Sequence, residues 1–342
     1  MLATIHLPVI PLKIFLTNQK ALIPYFRNMN LLKDPNSETI VVSDCKKANG
    51  DYTKSGKEDW KKMFGESSVF LSCVSPGTYF PQWWSPLSLK FCFNGNAHYK
   101  ANQTIYTLHD NNFLILNEGA EYSCQFSGSE NFESFTINFS ENFLSMALSS
   151  ALHSNEVQLD EPNKKAKRGF FEKTYPLSEQ LAGSISIIKE LVKKATPGQL
   201  DFESLLLELF ETMGRFQSQD IKKIHELKYI KASTREELYI RIHLAKEYID
   251  SCFKTNITLE KLASIAMLNP YYFLKVFKSV FKCTPHKYII NKRIDEAQIL
   301  LKKGVPVNQI STTLCFYDLA AFSNSFKKRV GVWPEEYKKM SA

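Results

Sequence analysis

Leu268-Asn269-Pro270-Tyr271-Tyr272-Phe273-Leu274-Lys275-Val276-Phe277-Lys278-Ser279-Val280-Phe281 reads as one short helix with a marked start. Asparagine is a favoured cap, because its side chain accepts from the first unpaired N–H groups of a helix. Pro270 at the first helical position costs nothing, since its missing N–H would have no intrahelical partner there. Phe273, Val276, Phe277, Val280 and Phe281 form an apolar stripe at the helical period. Tyr271, Leu274, Lys275 and Lys278 fall on the other side. A helix anchored by aromatics on one face and carrying tyrosine and lysines on the other is built to be presented to a partner.

The flanking sequence places this helix in a larger device. Upstream, Thr258 caps a short helix with Leu259, Leu262, Ala263 and Ala266 inward, and Met267-Leu268-Asn269 makes the turn. Short helix, tight turn and presented helix is the helix-turn-helix arrangement. Downstream, Thr284-Pro285 repeats the cap-plus-proline start and opens a long helix to Lys303, with Ile290, Ile294, Ala297 and Leu301 inward and Gly304 as its stop. Pro306 starts a further short helix carrying Ile310 and Leu314, Cys315-Phe316-Tyr317 turns, and Asp318 caps a second presented helix. There Phe322, Phe326 and Val330 point inward, and Gly331 and Pro334 end it. Phe273, Phe277, Lys278, Pro285 and Tyr288 correspond to Phe322, Phe326, Lys327, Pro334 and Tyr337, about 49 positions later: an internal repeat of one unit. Ahead of both, Ser233-Thr234-Arg235-Glu236 fits a capping box and sets the start of this last domain, whose first helix runs from Glu237 to Phe253.

Other stretches follow different periods. Between Ser68 and Phe139, short apolar or alternating runs (69–74, 88–93, 113–116, 122–126, 135–139) are separated by turn signals. These include Asn94-Gly95-Asn96 and Ser127-Gly128-Ser129. The pattern predicts several short strands in a small sandwich or barrel. Glu141–Leu152, Ser178–Lys194 and Phe202–Phe216 read as helices, the last two as a hairpin broken at Pro197-Gly198. Their apolar faces suit packing on the barrel, on a second copy of the chain, or both. Lys222–Ala232 is the expected linker, and the basic run over 160–168 is expected to be solvated. In residues 1–60, Thr39–Val42 reads as strand and the remainder is assigned no chemistry.

Composition narrows the classes. The 342 residues carry 43 Lys and Arg against 35 Asp and Glu. The surplus is local: residues 236–342 hold 17 against 10, and residues 1–235 hold 26 against 25. A basic C-terminal third is the electrostatic footprint of a nucleic-acid binder, or else a basic solvated surface. No apolar run reaches the ~18 residues that a membrane span needs. Seven cysteines stand singly with no C-x-x-C, as expected of reduced thiols in a cytoplasmic protein. There is no G-x-S-x-G, P-loop, dinucleotide fingerprint or His-x-His, so no catalytic residue and no cofactor are expected. His98 and His109 stand alone, and no metal site is expected.

Thr258–Tyr337 resembles the DNA-binding domain of the AraC/XylS family of transcription regulators. The resemblance lies in the duplicated Phe-x3-Phe-Lys helices, the Thr-Pro-x-x-Tyr start of the connecting helix and the terminal Gly-x-x-Pro-x-x-Tyr. It implies two recognition helices entering successive major-groove segments of double-stranded DNA. Carried over, Tyr271, Leu274 and Lys275 face bases in the first segment, with Lys278 nearer the phosphates. Ala320, Ser323 and Asn324 face the second, with Lys327 and Lys328 near the backbone. Lysine can donate to guanine, asparagine can pair with adenine, and leucine or alanine can meet a thymine methyl. Asn269 replaces the usual serine, Lys282 and Cys315 stand where the family has glycine, Asn324 replaces a common arginine, and Leu274 a polar residue. Residues 68–140 more weakly resemble the cupin-like effector domain of such regulators, notably in Phe132–Phe139. There Tyr79, Trp83, Trp84 and His98 are the candidates for stacking on a small-molecule effector.

The expected fold is therefore α+β. Residues 1–60 form an N-terminal extension, 61–145 a cupin-like β-barrel, 146–232 a helical dimerisation and linker region, and 233–342 an all-α domain with two helix-turn-helix units. The expected function is sequence-specific regulation of transcription by a homodimeric activator, with RNA polymerase as a partner implied by the resemblance. The alternatives are an architectural DNA binder without sequence preference and a cupin-type enzyme with an accessory DNA-binding domain.

Overall fold

A computed structural model describes residues 30–33, 39–45, 56–73, 77, 79–154, 169–194, 202–227 and 230–341. The basic run at 160–168 and most of residues 1–55 lie outside them. The chain divides into two compact units, Met1–Asn102 with Leu108–Thr212, and Gln103–Thr107 with Met213–Ala342.

A nine-stranded sheet organises residues 30–176. Its strands are β1 (Asn30–Lys33), β2 (Thr39–Cys45), β3 (Ser68–Cys73), β4 (Tyr79–Trp84), β5 (Ser88–Ala101), β6 (Thr104–Leu108), β7 (Asn112–Leu116), β8 (Glu121–Asn138) and β9 (Thr174–Pro176). The main path runs β1-β2-β3-β8-β5-β7-β9, with β4 and β6 off it. All pairs along the path are antiparallel except β2 with β3. No pairing among the described residues joins β9 back to β1, so the expected barrel is an open sheet. Phe135, Phe91, Phe113 and Tyr175 stand opposite one another on β8, β5, β7 and β9. Successive rings along this row are 5.4 to 6.5 Å apart. Such cross-strand aromatic pairs are what hold a sheet in register.

Two expected turns are absent, and the reason is packing. Asn94-Gly95-Asn96 lies inside β5 as a bulge, with Asn94 at φ 60°, and Ser127-Gly128-Ser129 lies inside β8. Gly95 and Gly128 face each other across the ladder, and Phe132 closes over both. A Cβ at Gly95 would sit 2.8 Å from the Phe132 ring, and one at Gly128 3.1 Å from it. Glycine serves close approach here, not chain reversal. Helix α1 (Lys57–Phe64) covers one end of the sheet with Trp60 and Phe64. Helix α2 (Glu141–Ser154) follows β8. The expected hairpin is present as α3 (Glu179–Lys194) and α4 (Phe202–Glu226), joined across by Ser184 and Glu208.

From Met213 onward the second unit is helical. Helix α4 continues ten residues beyond the expected end at Phe216, so the expected linker at Lys222–Ala232 is half helix. Leu227 and Ile230 beyond it are buried in the helical core. The next helix, α5 (Ala232–Cys252), begins one residue before the expected serine cap. Its cap is Lys231, which makes no side-chain capping bond. Arg235 Nε instead donates to Ile230 O and Thr234 Oγ1 to Lys231 O, fixing the chain where Ile230 is buried. Then come α6 (Leu259–Ile265), α7 (Pro270–Phe281), α8 (Pro285–Lys302), α9 (Val307–Thr313), α10 (Leu319–Val330) and α11 (Pro334–Ser341). Helices α6 and α9 have seven residues each and α7 and α10 twelve each, so the sequence repeat is a structural repeat. Even its aromatic contacts recur: Phe277 meets Tyr288 edge-on at 6.0 Å, and Phe326 meets Tyr337 edge-on at 5.5 Å.

Candidate nucleic-acid interface

Each presented helix starts as its sequence dictates. Asn269 Oδ1 accepts the Tyr272 N–H at 2.9 Å, and Asp318 Oδ1 accepts the Ala321 N–H at 2.6 Å. Thr258 and Thr284 cap α6 and α8 in the same way. Phe273, Phe277, Phe322 and Phe326 are fully buried, which turns the opposite faces of α7 and α10 outward.

On α7 the outward residues are Tyr271, Lys275 and Lys278. Tyr271 is 82% exposed, whereas Leu274, at the flank of this face, is 37% exposed. On α10 Ala320, Asn324, Lys327 and Lys328 are exposed, and Ser323 is half-buried. The two faces differ in how their cations are held. The Lys327 ammonium rests 4.2 Å from the centre of the Trp333 ring, and Arg329 Nη2 donates to Asp295 on α8 at 2.6 Å. Between α8 and α10 opens a cleft of ≈ 890 Å³ whose lining includes His286, Lys287, Lys328 and Arg329. Part of the positive charge that the sequence placed in the last third lines this cleft. Lys282 takes the left-handed conformation (φ 56°) at the C-cap of α7, as Cys315 does (φ 56°) in the turn before α10. Both are positions at which the resemblance expected glycine.

Helix α8 is bound to what surrounds it by ionic contacts. Asp250 of α5, 4% exposed, receives Lys246 at 2.8 Å, Lys292 of α8 at 3.0 Å and the Tyr288 hydroxyl at 3.1 Å. Burial alone would raise the Asp250 carboxyl, but Lys246 and Lys292 outweigh it and hold it below the usual aspartate range. Burial alone would lower the Lys246 ammonium, but Asp250 and Glu247 raise it well above the ordinary lysine value.

The effector candidates divide between two faces of the sheet. Tyr79 and His98 lie on either side of Gln125 in the β4–β8–β5 ladder, so they share a face, and Trp84 points the same way. His98 is half-buried, and burial lowers its imidazole pKa. Tyr79 is exposed, and Trp84 lies beside a cavity of ≈ 30 Å³, room for one water. Trp83 points the other way and fills a core with Trp60, Phe64 and Val69. On Trp83's side the structure shows a group that sequence reading missed. Lys90 is 1% exposed, with its ammonium 4.2 Å from the Tyr122 ring centre and 5.6 Å from that of Tyr99. Burial lowers its pKa to about 7. The available signal was a lysine inside the apolar run Ser88-Leu89-Lys90-Phe91-Cys92-Phe93, at a position buried between two neighbouring strands. His109, the other isolated histidine, bonds to Asn96 through Nδ1.

Residues 262–340 match the family model described as a helix-turn-helix domain. That segment is a helix-turn-helix domain of the AraC/XylS type. The chain is 32% identical over 95 residues to the Probable transcriptional regulator LumQ of Photobacterium leiognathi, covering 28% of this chain and 38% of that one. It is 22% identical over 269 residues to the HTH-type transcriptional regulator YdeC of Bacillus subtilis, covering 77% and 88%. Among solved structures, ToxT from Vibrio cholerae aligns over 80% of this chain and 98% of its own, with 17% identity and a TM-score of 0.31. The match to LumQ, and one to YobQ of Bacillus subtilis that spans 50% of that protein, leave half or more of those relatives uncovered.

Proposed function

We propose that this protein is a sequence-specific DNA-binding transcription regulator. Its C-terminal unit reads two successive major-groove segments, and its N-terminal sheet unit takes a small-molecule effector. The observation that carries the reading is the duplicated helix-turn-helix. Two helices of equal length, each capped by a side chain and buried by two phenylalanines, present outward faces of matching register. In this reading Tyr271, Leu274 and Lys275 contact bases and Lys278 a phosphate. Ala320, Ser323 and Asn324 line the second groove, with Lys327 and Lys328 at its backbone. Activation through RNA polymerase and pairing of two copies through α3 and α4 complete the reading. Ile187, 59% exposed on α3, supports that pairing surface.

The test is selection of duplexes from a randomised pool by the full-length chain, repeated with Lys275→Ala. The wild type is expected to enrich one sequence. Lys275→Ala is expected to bind it more weakly by about 1–3 kcal/mol and to relax the preference at one base position. An architectural binder would enrich nothing and show only a salt-dependent affinity. That result, or an enriched sequence left unchanged by Lys275→Ala, would overturn the assignment.

A further inference from the structure

We infer that Arg293 is a positioning residue for DNA recognition: its guanidinium locks the two helix-turn-helix units at the angle that lets both engage one duplex. The inference rests on the regulator reading above. Arg293 sits midway along α8 and is 8% exposed. Nε donates to Phe253 O at 2.8 Å and Nη2 to Thr255 O at 2.7 Å. Both carbonyls lie in the segment between α5 and α6 that leads into the first unit. Nη1 donates at 2.6 Å to Cys315 O, in the turn between α9 and α10 of the second unit. The guanidinium carbon lies 5.7 Å from the centre of the Phe316 ring in that same turn. One planar group therefore holds the entrance of one unit and the turn of the other.

The chemistry favours a geometric role over simple burial. A buried arginine used only for stability would be expected beside a carboxylate, which neutralises it. Here its hydrogen-bond partners are three backbone carbonyls from two units. Only a planar fork with donors in fixed directions meets three such acceptors at once; a lysine ammonium is a single point on a flexible stem. One of the acceptors belongs to Cys315, whose left-handed backbone is rarely adopted by any residue but glycine. The bond to Arg293 helps hold that turn, and the turn aims α10.

Recognition of two groove segments depends on this angle. Once the first helix is seated, engagement of the second is intramolecular, and its strength depends on how well the two are pre-set. Loosening the fork leaves each helix and its contacts intact but lowers simultaneous engagement.

The probe is the duplex that the wild-type chain selects from a randomised pool, in three forms: intact, truncated to the first subsite, and with one base pair inserted between subsites. The insertion turns the second subsite by about 34° and shifts it by ~3.4 Å. Full-length Arg293→Lys and Arg293→Met are compared with wild type. Both variants are expected to bind the single subsite within about threefold of wild type, and the intact site about tenfold or more weakly. The insertion is expected to cost wild type about tenfold and the variants about threefold or less, because a loosened pair tolerates altered spacing. An insertion penalty equal in wild type and variants overturns the inference, whatever their absolute affinities. So does an equal loss on single and intact sites, which marks a merely structural role. Should both variants fail to fold, the ¹⁵N side-chain signal of Arg293 in wild type decides. Slow exchange of its Nε–H with solvent supports the lock, and rapid exchange overturns it. A wild-type chain that selects no sequence overturns the regulator reading, and this inference with it.

Discussion

Replacing Lys90 with methionine should stabilise the first unit near neutral pH, and the gain should fade as the pH rises. Among the described residues the ammonium pairs with no carboxylate; it lies against the Tyr122 and Tyr99 rings, inside a sheet. Burial lowers its pKa from 10.5 to about 7. A shift of that size amounts to about 5 kcal/mol of preference for the neutral amine, of which the cation–π contact offsets only ~1–2 kcal/mol of the charged form's cost. The sign follows from proton counting. Between pH 7 and 10.5 the unfolded chain holds a proton that the folded chain does not, so folding becomes more favourable as pH rises. The slope is about 1.4 kcal/mol per pH unit. Methionine keeps the length and apolar stem and removes the titration. The expected gain at pH 7 is on the order of 2–5 kcal/mol, shrinking by about 3 kcal/mol at pH 9.5. The assay is urea denaturation of the full-length chain at both pH values, followed by tryptophan fluorescence in a Trp333→Phe background. That background leaves Trp60, Trp83 and Trp84, all in the first unit, as reporters. Comparing variant with parent at each pH cancels the other titrating groups. A variant less stable than its parent at pH 7, or an advantage equal at both pH values, refutes the reasoning.

Asp250→Asn should destabilise the helical unit by about 1–3 kcal/mol, because it removes the buried carboxylate shared by the half-buried Lys246 and Lys292 while Lys246 keeps Glu247. Asp250 has a depressed folded-state pKa, so its contribution is present above the ordinary aspartate pKa and is lost as pH falls through the depressed value. Circular-dichroism melts from pH 5 downward should therefore fall more steeply for wild type than for the variant. Lys282→Gly should raise the melting temperature by a few degrees, since relief of a left-handed lysine is worth about 1 kcal/mol and its exposed pair with Glu226 contributes less. The same change should reduce the salt dependence of DNA binding by about one ion if Lys282 meets a phosphate; an unchanged slope removes it from the interface.

The helical unit was legible because its determinants are local. Caps at Asn269, Thr284 and Asp318, prolines at the first helical position and the phenylalanine spacing act within one or two turns, and each element appears where these signals put it. The misplaced start of α5 shows the limit: a serviceable capping box lost to the burial of Ile230 and Leu227, which no local pattern announces. In the sheet the limit came sooner. Asn94-Gly95-Asn96 has the composition of a turn, and only the partner strand, with Gly128 opposite and Phe132 above, makes it a bulge. Whether the sheet closes depends on pairing between distant strands and leaves no mark in alternation. Tyr79 and His98 share a face because strand pairing put them there, while Trp83, which regular alternation would place on Tyr79's face, went to the core because the register shifts between Phe80 and Trp83. Arg293 was hidden for a related reason. It lies one position before the inward-facing Ile294, and its partners are 22 to 40 residues distant and contribute only backbone carbonyls, which have no residue type to recognise.

The two presented helices are copies in shape but not in chemistry, and that inequality gives the fixed angle its use. Helix α7 turns Tyr271 and Lys275 outward, toward a groove in the proposed reading. Helix α10 offers Ala320 and Asn324, while Lys327 lies on Trp333 and Arg329 on Asp295. A cation lodged on an aromatic ring is suited to meeting a phosphate at a set place more than to searching for a base edge. In the proposed reading the second helix, so equipped, contributes little sequence information alone. Held at a set distance and angle from α7, it adds both affinity and a demand on spacing, which is itself a form of specificity. A weak reader gains discrimination only through a rigid tie to a strong one, and the inferred role of Arg293 is to supply that tie, with its three hydrogen bonds reaching both helix-turn-helix units from α8.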